Sequence, residues 1–150
     1  MKIYLATDHA GFEYKEKTKA HLIVAGHEVI DMGAHSLNSV DAYPHYIVRA
    51  AQEVAKEPDA TRAIVFGGSG QGEGITANRF KGVRAVVYYA ENLEIIDLSR
   101  EHNNANVLSI GARFVSVTAT QEAVNRFLEK PFSGDERHMR RIAQLDTLLS

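Results

Sequence analysis

The residues with the widest chemical reach stand in one glycine-rich run, Gly67-Gly68-Ser69-Gly70-Gln71-Gly72-Glu73-Gly74. Glycines admit positive φ and let successive backbone N–H groups approach an anion without side-chain interference. N–H groups gathered at a helix start favour negative charge. Such a run can bind a phosphate or stabilise an oxyanion formed during a reaction. It can equally be a tight strand-to-helix turn, and spacing alone leaves both readings open. Three known motifs do not fit. A P-loop needs Lys and then Ser or Thr after its last Gly, where Glu73 and Gly74 stand. A nucleophile elbow needs Gly two residues after Ser69, where Gln71 stands. A dinucleotide fingerprint belongs after the first strand, where the chain has Asp8-His9-Ala10-Gly11. Glu73 itself is either a residue that suits a helix dipole or a proton-abstracting base placed beside oxyanion donors. The second role calls for a pKa moved toward neutrality by burial.

Further candidates are more scattered. Seven histidines carry little weight by number, and none are paired at the i, i+4 spacing of a zinc-binding helix. With no Cys, thiolate ligands and cysteine nucleophiles are excluded, and neither a metal nor a cofactor is expected. His102 is set apart by its context, Arg100-Glu101-His102-Asn103-Asn104-Ala105, which is more polar than a plain turn requires. Near the C-terminus, Arg137-His138-Met139-Arg140-Arg141 puts Arg137 and Arg141 on one helix face. Paired guanidinium groups suit phosphate, although a solvated face paired with Asp135, Glu136 and Asp146 would look the same. Arg113 is a further single candidate.

The elements that must position these residues follow from hydrophobic periodicity. Strands are expected at 2–6, 27–31, 62–66, 84–88 and 107–110. Helices are expected at about 12–24 (closed by Gly26), 46–55, 72–80, 92–100, 118–128 behind a capping box at Thr118–Gln121, and 136–148. Five strands alternating with helices imply an α/β fold: one domain over 1–150, a three-layer Rossmann-like (flavodoxin-like) parallel five-stranded sheet, and a C-terminal helical extension from about 131. The chain of 150 residues, 45% hydrophobic and 24% charged, with formal net charge −2, is of ordinary globular composition. It shows no basic stripe for nucleic acid, no apolar run for a membrane and no secretory leader. A small ligand and a cytoplasmic location are expected.

In a sheet of order 2-1-3-4-5, ligands bind outside the carboxyl ends of strands one and three, where strand order reverses. The loops leaving those strands are Asp8–Gly11 and Gly67–Gly74. His102 lies instead at the amino end of the fifth strand, the wrong edge for its own chain's pocket. If it is catalytic it serves a neighbouring chain, which predicts at least a dimer.

Asp8-His9-Ala10-Gly11, Tyr43-Pro44, Gly67 to Glu73, Ala77-Asn78, Glu101 to Ala105 and the Arg-His-x-x-Arg ending occur in an order that closely resembles the ribose-5-phosphate isomerase B family. The wider family includes galactose-6-phosphate isomerase subunits and enzymes acting on allose 6-phosphate. The resemblance implies cofactor-free aldose–ketose isomerisation in a homodimer with shared sites, with a tetramer as the alternative. One branch of the family uses a Cys base, and Ser69 stands in that place here. The other carries a Glu four residues after the Ser, matched by Glu73, which would move the proton between C1 and C2. The resemblance assigns His102 and Asp8 to ring opening and Asn103 to sugar hydroxyls. Ser69, Gly70, Gln71, Gly72 and Gly74 would line the anion hole, and Tyr43 the pocket. His9, Arg113, Arg137, His138 and Arg141 would surround the phosphate. The loop around residue 42 departs from the pattern, with Ala42 where an Asp often precedes the Tyr. Ribose 5-phosphate is the expected substrate, with six-carbon phosphates as the alternative. A non-catalytic sugar-phosphate or nucleotide sensor, and an obligate subunit of a hetero-oligomeric isomerase, are the competing readings.

Overall fold

The computed structural model describes residues 1–148. Five strands, β1 (Lys2–Thr7), β2 (Glu28–Asp31), β3 (Thr61–Gly67), β4 (Ala85–Tyr88) and β5 (Val107–Gly111), form one all-parallel sheet. Helices α1 (Phe12–Val24), α2 (Pro44–Lys56), α3 (Gln71–Ala77), α4 (Leu93–Asn103) and α5 (Val117–Glu129) surround it, and α6 (Glu136–Thr147) ends the chain.

Successive strand residues point to opposite faces, and the two faces differ in size. Ile3, Leu5, Ile64, Phe66, Leu108 and Ile110 pack against Leu22 of α1, Ile96 of α4 and Phe127 of α5. Tyr4, Ala6, Ala63, Val65 and Val107 meet Ile47, Ala50, Ala51 and Val54 of α2 and Ala77 of α3. Small residues on that second face let α2 and α3 lie close to the sheet.

The strand order is β2-β1-β3-β5-β4, so the expected 2-1-3-4-5 is corrected at its last two places. β5 is buried along its whole length, whereas β4 is a half-exposed edge strand. The reason lies in glycine: a Cβ on Gly111 would sit 2.6 Å from the Ser69 carbonyl oxygen, so only a bare backbone lets β5 end beside the glycine-rich loop. Ser109 on β5 donates its hydroxyl to the Gly70 carbonyl at 2.6 Å. The reversal between β1 and β3 is unaffected.

Several helix boundaries also move: α2 begins at Pro44 rather than Tyr46, and α4 runs on past Arg100 to Asn103, so that His102 lies in its last turn. The cap of α5 is Ser116, whose Oγ accepts from Ala119 N at 3.1 Å, rather than the expected box at Thr118. Ser116 is held in extended backbone by its own N–H, which donates to Glu91 Oε1 at 3.0 Å. Helix α3 stops at Ala77 because Asn78 turns its amide to β4, accepting from Ala85 N at 2.7 Å and donating to Ala85 O at 2.9 Å. Lys15 of α1 is fully buried. Its ammonium meets Asp31 at 2.6 Å, and a cation with no solvent survives only with such a partner.

Candidate active site

The glycine-rich loop leaves β3 and enters α3 through Gly70, the helix cap, at φ 77°. That left-handed conformation is costly for a side chain. A Cβ there would also lie 3.0 Å from Gly111 N, so Gly70 is required twice over. The Ser69 hydroxyl accepts from Gln71 N at 3.3 Å, and Ser69 and Gln71 are exposed at the rim. Gly72 is covered by the Tyr43 ring, close enough that a Cβ would lie 2.5 Å from its Oη. Tyr43 thereby forms a wall over the loop.

Glu73 is 4% exposed, and its side chain folds back over Gly67, whose missing Cβ leaves the space that the carboxyl occupies. Burial raises the Glu73 pKa above the ordinary carboxylate value of 4.5, and the nearby Asp8 raises it further, against its own backbone N–H, which lowers it. A base for carbon acids needs that direction of shift.

Asp8 and His9 come to the same edge from β1. Gly11 makes this possible, since any Cβ on it would collide with Phe66 of β3. Asp8 Oδ1 accepts from Ala10 N at 2.9 Å and so caps the short 3-10 turn His9–Gly11. His9 Nδ1 lies 2.7 Å from Asp41 Oδ1 and 3.9 Å from Asp8 Oδ2. The ligand atoms of Asp8, His9 and Asp41 lie within 4.8 Å of one another. This grouping was not visible in the sequence, because Asp41 sits in a loop 32 residues away. Arg113 reaches the edge from the end of β5. Its N–H donates to Gly68 O at 3.1 Å, and its guanidinium lies across Gly68, so the corrected strand order is what brings it to the loop.

The remaining candidates gather elsewhere. His102, in the last turn of α4, stacks on His138 of α6 with ring centroids 4.3 Å apart. Asp146 at the other end of α6 accepts from Gly82 N at 3.0 Å, before β4 begins. Helix α6 therefore lies across the amino edge of the sheet, with His138 buried and Arg137 and Arg141 exposed. His138 is 4% exposed, and its Nε2 has no hydrogen-bond partner among the described residues. Burial, then His102 and Arg137, hold its pKa below the ordinary value. A strand of five residues, roughly 16 Å at about 3.3 Å per residue, separates this group from Glu73.

The asparagines after His102 divide in role. Asn103 is exposed. Asn104 is the left-handed cap of α4 at φ 45°, and its side chain accepts from Arg100 Nη1 at 2.8 Å. Part of that segment's polarity is thus structural. Arg62, Arg84 and Arg100, which sequence reasoning passed over, tie loop carbonyls at the same edge. A cavity of about 520 Å³ lies there too, lined by residues including Arg79, Arg84, Asn103 and Leu145, and not by Glu73.

Comparison with known proteins identifies the family. A family described as Ribose/Galactose Isomerase matches residues 3–145. The ribose-5-phosphate isomerase B of Mycolicibacterium paratuberculosis is 44% identical over 142 residues, covering 95% of this chain and 87% of the relative. That of Escherichia coli is 38% identical over 151 aligned positions, covering 98% and 95%. Among solved structures, ribose-5-phosphate isomerase B from Mycoplasma genitalium, with bound ribulose-5-phosphate, superimposes with a TM-score of 0.93 at 34% identity, covering 99% of this chain and 95% of that one. The chain belongs to the ribose/galactose isomerase family.

Proposed function

We propose that the chain interconverts ribose 5-phosphate and ribulose 5-phosphate through an enediolate, with Glu73 as the base. The observation that carries this reading is the Glu73 carboxyl, buried, raised in pKa and folded onto Gly67 beside a row of backbone N–H groups. The open aldose gives its C2 proton to Glu73, and the electron pair left behind moves onto the carbonyl oxygen at C1. The resulting enediolate is held by N–H groups of residues 70–73 at the amino end of α3 and by the Ser69 hydroxyl, donors aimed where charge develops; the Gly74 N–H is already given to Gly70 O at 3.1 Å. Glu73 then returns the proton to C1 as the C2 carbonyl forms, and the hydroxyl proton of O2 passes to the O1 oxyanion, which becomes the C1 hydroxyl of the ketose.

Ring opening comes first, and His102 with Asp8 is the reading's choice for that proton transfer, with Asn103 on the sugar hydroxyls. His9 and Arg113 on one edge, and Arg137, His138 and Arg141 on the other, are assigned to the phosphate. Because the two groups sit at opposite ends of the sheet, each site in this reading draws Glu73 from one chain and His102 with the α6 arginines from another, in a homodimer. The surface around His102 supports a covered interface. Ile95 and Leu98 share its helix stripe and stand exposed, as do Met139 and Leu145 on α6.

The test is turnover of the purified chain on ribose 5-phosphate, allose 6-phosphate and galactose 6-phosphate. The highest kcat/KM is expected on ribose 5-phosphate. Preference for a six-carbon phosphate would reassign the substrate. Absence of turnover on all three would favour a binding domain or an obligate subunit.

A further inference from the structure

We infer that Asp41 is a positioning residue that fixes the imidazole of His9 through Nδ1 and presents Nε2 to the phosphate of the substrate. This rests on the sugar-phosphate reading above. Asp41 stands in an otherwise exposed loop, yet its own side chain is only 6% exposed. Both protein hydrogen bonds of its carboxylate go to one residue: Oδ1 accepts from His9 N at 3.0 Å and meets His9 Nδ1 at 2.7 Å. The other oxygen, Oδ2, is enclosed with no hydrogen-bond partner among the described residues. Burying a carboxylate is costly unless it is paired, and here the pairing serves His9 alone. Asp8 Oδ2, 3.9 Å from Nδ1, adds a second acidic group on the same side of the ring.

The chemistry follows from the donor inventory. An ionised carboxylate only accepts, so the 2.7 Å contact requires a proton on Nδ1. An unprotonated phosphate oxygen also only accepts, so a hydrogen bond to it requires a proton on Nε2. With Asp41 on one side and phosphate on the other, the ring donates from both nitrogens and is an imidazolium in the complex. A charge-assisted hydrogen bond held in a fixed direction contributes to binding in the ground state and the transition state alike, and therefore to KM rather than kcat. The same carboxylate draws the loop ahead of Tyr43 toward the site, so the positioning and loop-tethering effects must be separated experimentally.

Two measurements do so. In Asp41→Ala, KM for ribose 5-phosphate and the inhibition constant of inorganic phosphate should rise together by about tenfold or more, with kcat changed far less. In a His9→Ala background the same substitution should add little, because its effect runs through His9. Unchanged constants in Asp41→Ala, or a full additional loss in the His9→Ala background, would overturn the assignment. Long-range ¹H–¹⁵N spectra of the wild-type protein give a readout independent of whether the variant folds. Protonated Nδ1 in the free protein, with both nitrogens protonated once inorganic phosphate is added, is expected. An unprotonated Nδ1 would contradict the inference and point instead to a cation among Asp8, His9 and Asp41. If the wild type turned over no sugar phosphate, the functional reading would fail, while the spectra and phosphate titration would still judge the role of Asp41.

Discussion

Glu73→Gln is expected to lower kcat by about 10²–10⁴-fold, the usual worth of a positioned general base, with ribose 5-phosphate binding kept within a few-fold. The amide keeps the size of the carboxyl and its place over Gly67, so the variant removes proton abstraction and little else. The wild-type pH profile gives the complementary sign. The base must be deprotonated to act, and burial raises its pKa above 4.5. Activity should therefore be present above that raised pKa and fall as pH drops through it, giving an acid limb in kcat/KM above the ordinary carboxylate range. Steady-state kinetics across pH for both proteins check this. Turnover of Glu73→Gln close to wild type would remove Glu73 from the chemistry.

Gly67→Ala should cost about 10²-fold in kcat without unfolding the protein. The nearest atoms an added Cβ would meet are those of the Glu73 carboxyl, the far end of a flexible side chain rather than backbone. The carboxyl therefore swings away while β3 and its pairings stay. A misplacement of about 1 Å at a reacting group is enough for a 10²-fold loss. Gly67→Ala combined with Glu73→Gln should be little worse than Glu73→Gln alone, since both act through one carboxylate. Thermal unfolding of Gly67→Ala near the wild-type midpoint, together with depressed kcat, is the expected pair of results. A large loss of stability would instead give Gly67 a role in the sheet.

The alternation of apolar runs in the sequence was sufficient for the layered α/β fold, because the three central strands β1, β3 and β5 are buried on both faces and helices such as α2 and α5 carry an apolar stripe. It was not sufficient for the positions of β4 and β5. Ala85–Tyr88 and Val107–Gly111 have similar composition, and what separates them is the close approach of Gly70, Ser69 and Gly111, a contact between distant segments. The only sequence signal was Gly111 at the end of β5, beside Ala112 and Arg113. The same holds at the site. Glu73, Asp8 and His9 were legible because fold geometry brings the ends of β1 and β3 together, whereas Tyr43 was a candidate only through the family resemblance. Asp41 was not legible, because its place against His9 depends on the path of an irregular loop. Lys15 carries no sequence signal of its burial, which only the approach of Asp31 from β2 explains.

The placement of His102 at the amino edge gives the account its most exposed claim, that one site takes Glu73 and His102 from different chains. Mixing Glu73→Gln with His102→Ala, each nearly inactive alone, tests it directly. In a twofold dimer, a mixed pair contains one site with both defects and one site with neither. With random subunit exchange, half of the dimers are mixed, so activity should recover to roughly a quarter of wild type. Mixed dimers that form, as followed by native mass spectrometry, but show no activity above the two parents would contradict the shared site.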